Sequence, residues 1–145
     1  MSLITNRKAH FNYEITDTYS AGIELLGYEV KSLKNGQGSL EGAHATVRGG
    51  EAYIVAMFIP PYQPTNTPAE YDPYRNRRLL LKKDEISSLA KAESTKGLTI
   101  VPLSVYNKGG KIKLDIAIAK GKKKFDKRET LKKHQSDRDT QRDLK

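Results

Sequence analysis

The stretch Leu98–Ala119, "LTIVPLSVYNKGGKIKLDIAIA", decides the fold. Ile112, Leu114, Ile116 and Ile118 alternate with Lys113, Asp115, Ala117 and Ala119, so one apolar face and one largely polar face run along a strand. A β-prone run precedes it, and "NKGG" between the two supplies the glycines of a tight hairpin turn. Pro102 lacks an amide to donate, which places its strand at an edge or a bulge.

Working outward, "HATVRGGEAYIVAMFI" has the same form, with Gly49 and Gly50 between two β-prone runs. Phe11, Tyr13 and Ile15 alternate with Asn12, Glu14 and Thr16, predicting a half-buried strand that continues through "YSAGIEL". "RRLLLKK" reads as a short strand with Leu79 and Leu81 inward and Leu80 outward. Leu26, Val30 and Leu33 fall at i, i+4 and i+7 ahead of Asn35 and Gly36, predicting a helix over about 26–35. A second helix is expected from near Asp84, with Ile86 and Leu89 on one side and Gly97 as its stop. Five of the six prolines lie in 60–76, which marks that segment as a stiffened loop. Six or so strands joined mostly by turns, with two or three short helices, predict a mainly β fold: a small antiparallel barrel of the oligonucleotide-binding kind. Its expected span is residues 1–119, followed by a basic C-terminal tail over 120–145.

Charge and composition narrow the function. The chain has 145 residues and a formal net charge of +9, and from Lys120 onward 11 Lys and Arg stand against 5 Asp and Glu. Concentrated positive charge favours a polyanionic partner, nucleic acid or an anionic membrane, because each neutralised phosphate releases counterions. A membrane-surface helix needs more apolar area than Leu131 and Leu144, the two aliphatic side chains after Asp126, provide. The tail is therefore expected to be disordered when free and helical on its target. No signal or spanning segment is evident, which predicts a soluble, cytoplasmic protein. With no cysteine, thiol chemistry and disulfides are excluded. His10, His44 and His134 have no metal-ligand spacing, "GQGSLEG" follows a helix rather than a strand, and no catalytic pair or nucleophile elbow is present. No enzyme activity, metal or cofactor is expected. "YRNRRLLLKK" instead mixes Arg75, Arg77, Arg78, Lys82 and Lys83 with three leucines, a composition suited to an RNA whose bases turn outward. Tyr62, Tyr71 and Tyr74 either stack on bases or pin the long loop.

Four stretches then carry a family resemblance: "NRKAHFNYEI" (6–15), "AGIELLGYEVKSLKNG" (21–36), "RRLLLKKDEI" (77–86) and "IAIAKGKKKFDKRE" (116–129). In this order they resemble the bacterial SsrA-binding protein (small protein B) family over essentially the whole chain. The resemblance implies an oligonucleotide-binding-like barrel that binds transfer-messenger RNA near the elbow of its tRNA-like end. Protein and RNA together then imitate a tRNA in trans-translation, the rescue of stalled ribosomes. By motif, the implied RNA contacts are Asn6, Arg7, Leu80 and Lys113, to which the composition argument adds Arg77. Lys120, Lys122, Lys123, Asp126, Lys127 and Arg128 match the family's tail, which works at the decoding centre and mRNA channel of the small ribosomal subunit, against ribosomal RNA. Elongation factor Tu is an implied partner through the RNA complex. Two positions depart from the family pattern. Ser20 stands where a glutamate is frequent, and Phe125 where many members carry histidine, which suggests stacking as the shared property there.

Overall fold

A computed structural model describes residues 2–63 and 67–121. Its strands are β1 (Ser2–Thr5), β2 (Tyr13–Ile23), β3 (His44–Arg48), β4 (Glu51–Val55), β5 (Arg77–Leu80), β6 (Leu98–Lys108) and β7 (Lys111–Gly121). Its helices are α1 (Ala9–Asn12), α2 (Gly27–Lys34) and α3 (Lys83–Ser94).

All pairings are antiparallel, in the order β1-β6-β3-β4-β5-β2-β7, and β7 pairs back onto β6. The ladder thereby closes on itself, and the expected small barrel is present with β1 as an added strip along β6. The β6–β7 hairpin has Lys108 opposite Lys111, and its register shifts between Pro102 and Ser104, the bulge that proline requires. In the β3–β4 hairpin, Gly49 and Gly50 hold φ of +57° and +77°, angles that suit the tight turn and disfavour other residues.

The inward face of β7 is as expected, with Leu114 and Ile116 fully buried and packed with Ile54, Met57, Ile59 and Leu79. Ala117 and Ala119, expected outward, are buried too. With Ala9 and Val101 they lie outside the main core, where α1 covers β2 and β6. Two differences from the sequence reading lie at this end of the chain. Phe11 and Asn12 belong to α1, so the strand starts at Tyr13. β1, a four-residue run without a turn signal, was not expected and is held by β6.

The barrel's closing seam is thin: β3 meets β6 through the single pair Ala45 and Ile100. α3 packs over both strands, burying Leu89 and Ala92. Its Glu93 accepts hydrogen bonds from Thr46 Oγ1 at 2.6 Å and from the Val47 amide at 2.8 Å.

In α2 the buried face is Glu29, Ser32 and Leu33, whereas Leu26 stays 41% exposed. The apolar stripe of the sequence reading therefore sits rotated. What rotates it is an ionic cluster. Glu29, with no solvent exposure, meets Arg75 Nη2 at 2.5 Å, Arg77 Nη2 at 2.6 Å and Arg77 Nε at 2.7 Å. It also accepts the Leu26 amide at 2.8 Å, as a cap on its own helix. Burial by itself would raise the Glu29 carboxyl. The hydrogen bonds from Arg75, Leu26 and Arg77 outweigh it and hold the group below its ordinary value.

The Tyr71 hydroxyl lies 2.9 Å from Glu29 Oε2 and 2.8 Å from the Ile59 carbonyl. Its ring stands edge-on to Tyr28. Burial, followed by the hydrogen bond to Glu29 and that carboxylate's charge, pushes its hydroxyl pKa up to about 12. Of the three loop tyrosines, Tyr71 thus pins the loop, while Tyr74 rests on Phe58 and remains 56% exposed.

Candidate nucleic-acid interface

Register assembles the candidate residues. Gly22 of β2 pairs with Leu80 of β5 on one side and with Lys113 of β7 on the other, and Lys113 in turn faces Tyr106 of β6. Residues directly opposite in antiparallel ladders point to the same face, so Leu80, Gly22, Lys113 and Tyr106 form one row across four strands.

Leu80 is 47% exposed although its neighbour Leu79 is buried, the alternation the sequence predicted. The Leu80 side chain lies against the bare backbone of Gly22: an added Cβ there would stand 3.1 Å from the Leu80 Cβ and 3.4 Å from its Cδ1. Shallow grooves flank Leu80: one of about 500 Å³ lined by Ser20, Lys82, Lys83 and Lys113, and one of about 380 Å³ lined by Val30, Lys111 and Ile112. Lys82, Lys83, Lys111 and Lys113 make no ion pair among the described residues. The row thus offers an apolar surface with cations outside ion pairs beside it, in a groove that Glu51 and Glu85 also line. That is the chemistry a single-stranded or looped RNA requires, apolar area for bases and charge for backbone.

The arginines of 75–78 behave otherwise. Arg77, expected to touch phosphate, is wholly buried. It donates to Glu29, to the carbonyls of Met57 and Pro73, and to Tyr71 Oη, so it is corrected here to a structural residue. Arg75 shares Glu29, and exposed Arg78 pairs with Glu51 at 2.7 Å and Glu24 at 3.2 Å.

Asn6 and Arg7 lie apart from the Leu80 row, in a groove of about 680 Å³ between β1 and residues 36–41. The Asn6 amide group donates to the Pro102 carbonyl at 2.9 Å and its backbone amide to Leu103, which fixes the turn that presents Arg7 to solvent. Lys120 is exposed near the end of β7, paired with Glu14 and Leu98, and the strand runs past it to Gly121. Lys122, Lys123, Phe125, Asp126, Lys127 and Arg128 lie outside the described residues. Among the described residues no group of three or more His, Asp or Glu converges as for a metal ion, and no helix is long and apolar enough to cross a membrane.

The family model described as "SmpB protein" matches residues 3–145. The chain belongs to the SsrA-binding protein family. It is 50% identical over 141 residues to the SsrA-binding protein of Elusimicrobium minutum, covering 97% of this chain and 89% of that one. It is 49% identical over 144 residues to that of Gloeothece citriformis, covering 99% and 93%. Among solved structures it is similar to a chain in "tmRNA-SmpB: a journey to the center of the bacterial ribosome", with a TM-score of 0.70 and 43% identity over 83% of this chain and 85% of that one. In this SsrA-binding protein the row runs across β5, β2, β7 and β6. Ser20 and Tyr106 join that surface without having been marked by the sequence as a pair. The Tyr106 hydroxyl lies 2.5 Å from Ser20 Oγ. Glu29 was also missed, although it falls four residues before Leu33 on the helix and so shares its face, a signal the apolar stripe hides.

Proposed function

We propose that this chain binds transfer-messenger RNA (SsrA RNA) and delivers it to stalled ribosomes for trans-translation, acting by binding rather than catalysis. The observation that carries the reading is the row in which exposed Leu80 lies over Gly22 with Lys113, which makes no ion pair among the described residues, on the other side, in a chain of the SsrA-binding family. Leu80 supplies apolar contact to an unstacked base, and Lys113, with Lys82 and Lys83 nearby, supplies charge to the backbone. Asn6 holds Arg7 outward as a second contact.

The tail from Lys120 through Lys122, Lys123, Phe125, Asp126, Lys127 and Arg128 occupies the decoding centre and the empty mRNA channel of the small subunit, with the barrel (1–119) holding the RNA. Elongation factor Tu joins through the RNA, and the setting is the cytoplasm. The test has two parts. RNA recovered with the purified chain should be dominated by one abundant structured species, transfer-messenger RNA; recovery of unrelated RNAs in proportion to their abundance overturns the reading. Deleting residues from Asp126 onward should leave RNA affinity near normal and abolish tagging of stalled peptides. Tagging that persists in the truncated protein removes the role given to the tail.

A further inference from the structure

Tyr106 on β6 and Ser20 on β2 are separated by the whole width of β7, so their backbones stand about 10 Å apart at the usual strand spacing. Their hydroxyls nevertheless meet at 2.5 Å. Register fixes the path: Tyr106 faces Lys113 and Ser20 faces Asp115, so the Tyr106 side chain crosses β7 between these two charges. The result is a neutral hydroxyl pair on the barrel's outer face, beside Lys113 and one row along from Leu80 and Gly22.

The hydrogen-bond capacity of this pair is definite. Two hydroxyls carry two protons, and their mutual bond uses one, which leaves one proton to donate and lone pairs to accept. A ribose 2′-hydroxyl is likewise donor and acceptor, and is the group that distinguishes RNA from DNA. A phosphate accepts only and carries charge, and Asp115 beside Ser20 repels it, whereas Lys113 on the other side attracts it. Base, sugar and backbone thus have separate places: Leu80 and Gly22 for the base, Lys113 for the phosphate, the hydroxyl pair for the sugar.

We propose that the Ser20–Tyr106 pair is the ribose-reading contact of the interface, taking the 2′-hydroxyl of a nucleotide whose base rests on Leu80 and Gly22. The proposal rests on RNA being the partner, and it deepens that reading by naming the group recognised. As a mere brace the pair is worth little, because both hydroxyls bond water equally well when parted on an open surface. Tyr106→Phe alone would free the Ser20 proton to make the same contact, so the double variant Ser20→Ala/Tyr106→Phe, which removes both hydroxyls, is the one that keeps the fold and isolates the contact.

The experiment measures binding of the full chain, wild type and Ser20→Ala/Tyr106→Phe, to the tRNA-like portion of transfer-messenger RNA. The RNA is used either all-ribose or with single 2′-deoxy substitutions placed in turn around its elbow. With all-ribose RNA, the double variant should lose about threefold to tenfold in affinity, the worth of one hydrogen bond, at an unchanged salt slope. One deoxy position should weaken the wild type by a similar factor and have no further effect on the double variant, the non-additivity of groups in contact. Equal affinity of variant and wild type, or losses that add at every deoxy position, overturns the proposal. Failure of the wild type to bind the all-ribose RNA instead overturns the assignment of the RNA, and the ribose contact with it.

Discussion

Glu29 Oε2 lies 2.7 Å from Arg77 Nε, and neither side chain exposes any surface to solvent. Forty-eight residues separate the two in sequence, and their pairing ties α2 to the start of β5, two residues before Leu79 and three before Leu80. The ion pair thereby anchors the strand that presents the apolar part of the interface.

Removing one partner of such a pair strands the other. Arg77→Met should destabilise the fold by about 3–5 kcal/mol, because buried Glu29 keeps Arg75 as its one cation and the carbonyls of Met57 and Pro73 lose their donor. Denaturant midpoints measure this. Arg78→Met, which breaks only surface pairs, should leave the midpoint essentially unmoved.

Acid should act through the same carboxyl. Because folding lowers Glu29 below its ordinary 4.5, its contribution is fully present above that pH and is lost as the pH falls below it through the folded value. In Glu29→Gln the protein should be weaker at neutral pH, yet its stability should fall less steeply below pH 4.5. Equal acid slopes for variant and wild type would count against Glu29 as the group responsible.

At the alkaline end the sign reverses. Folding raises the Tyr71 hydroxyl from 10.0 to about 12, so its contribution holds below pH 10 and disappears as the pH climbs between those values. Stability curves of Tyr71→Phe and wild type should converge across that interval.

Salt separates the two kinds of RNA contact. Lys113→Ala should lower affinity and reduce the slope of log affinity against log salt by about 0.9, the duplex value for one phosphate no longer neutralised. Leu80→Ala should weaken binding at an unchanged slope. Identical slopes for the two variants would mean that the row does not divide its work this way.

Gly22→Ala tests the close approach of Leu80 to the backbone between them. The new Cβ stands 3.1 Å from that of Leu80, an atom fixed to the β5 backbone, so the β2–β5 ladder must give by a few tenths of an ångström and the fold should lose about 1–3 kcal/mol. RNA affinity should fall several-fold, because both the displaced leucine and the added methyl occupy the base's place.

Much of this was legible in the sequence wherever a local pattern reports a local cause. The alternation through Leu79, Leu80 and Leu81 gave the exposed leucine, and paired glycines gave both hairpins. What stayed hidden depends on distant partners. Arg77 reads as a surface cation until Glu29 is brought to it, and Phe11 reads as strand until α1 is seen lying across β6. Ser20 and Tyr106, 86 residues apart, become a pair only once β7 lies between them.

The thin seam at Ala45 and Ile100 gives the molecule a mechanical character. A barrel whose last ladder is one residue pair long is a strip fastened by a clasp, and the clasp is α3, gripping β3 through Glu93 while resting on β6. Pulled apart, such a strip yields at its fastening first. The β2, β7 and β6 part of the row lies on the two long ladders, away from the clasp, so Gly22, Lys113 and Tyr106 keep their places when it is strained, while Leu80 depends on the two pairs that join β5 to β2.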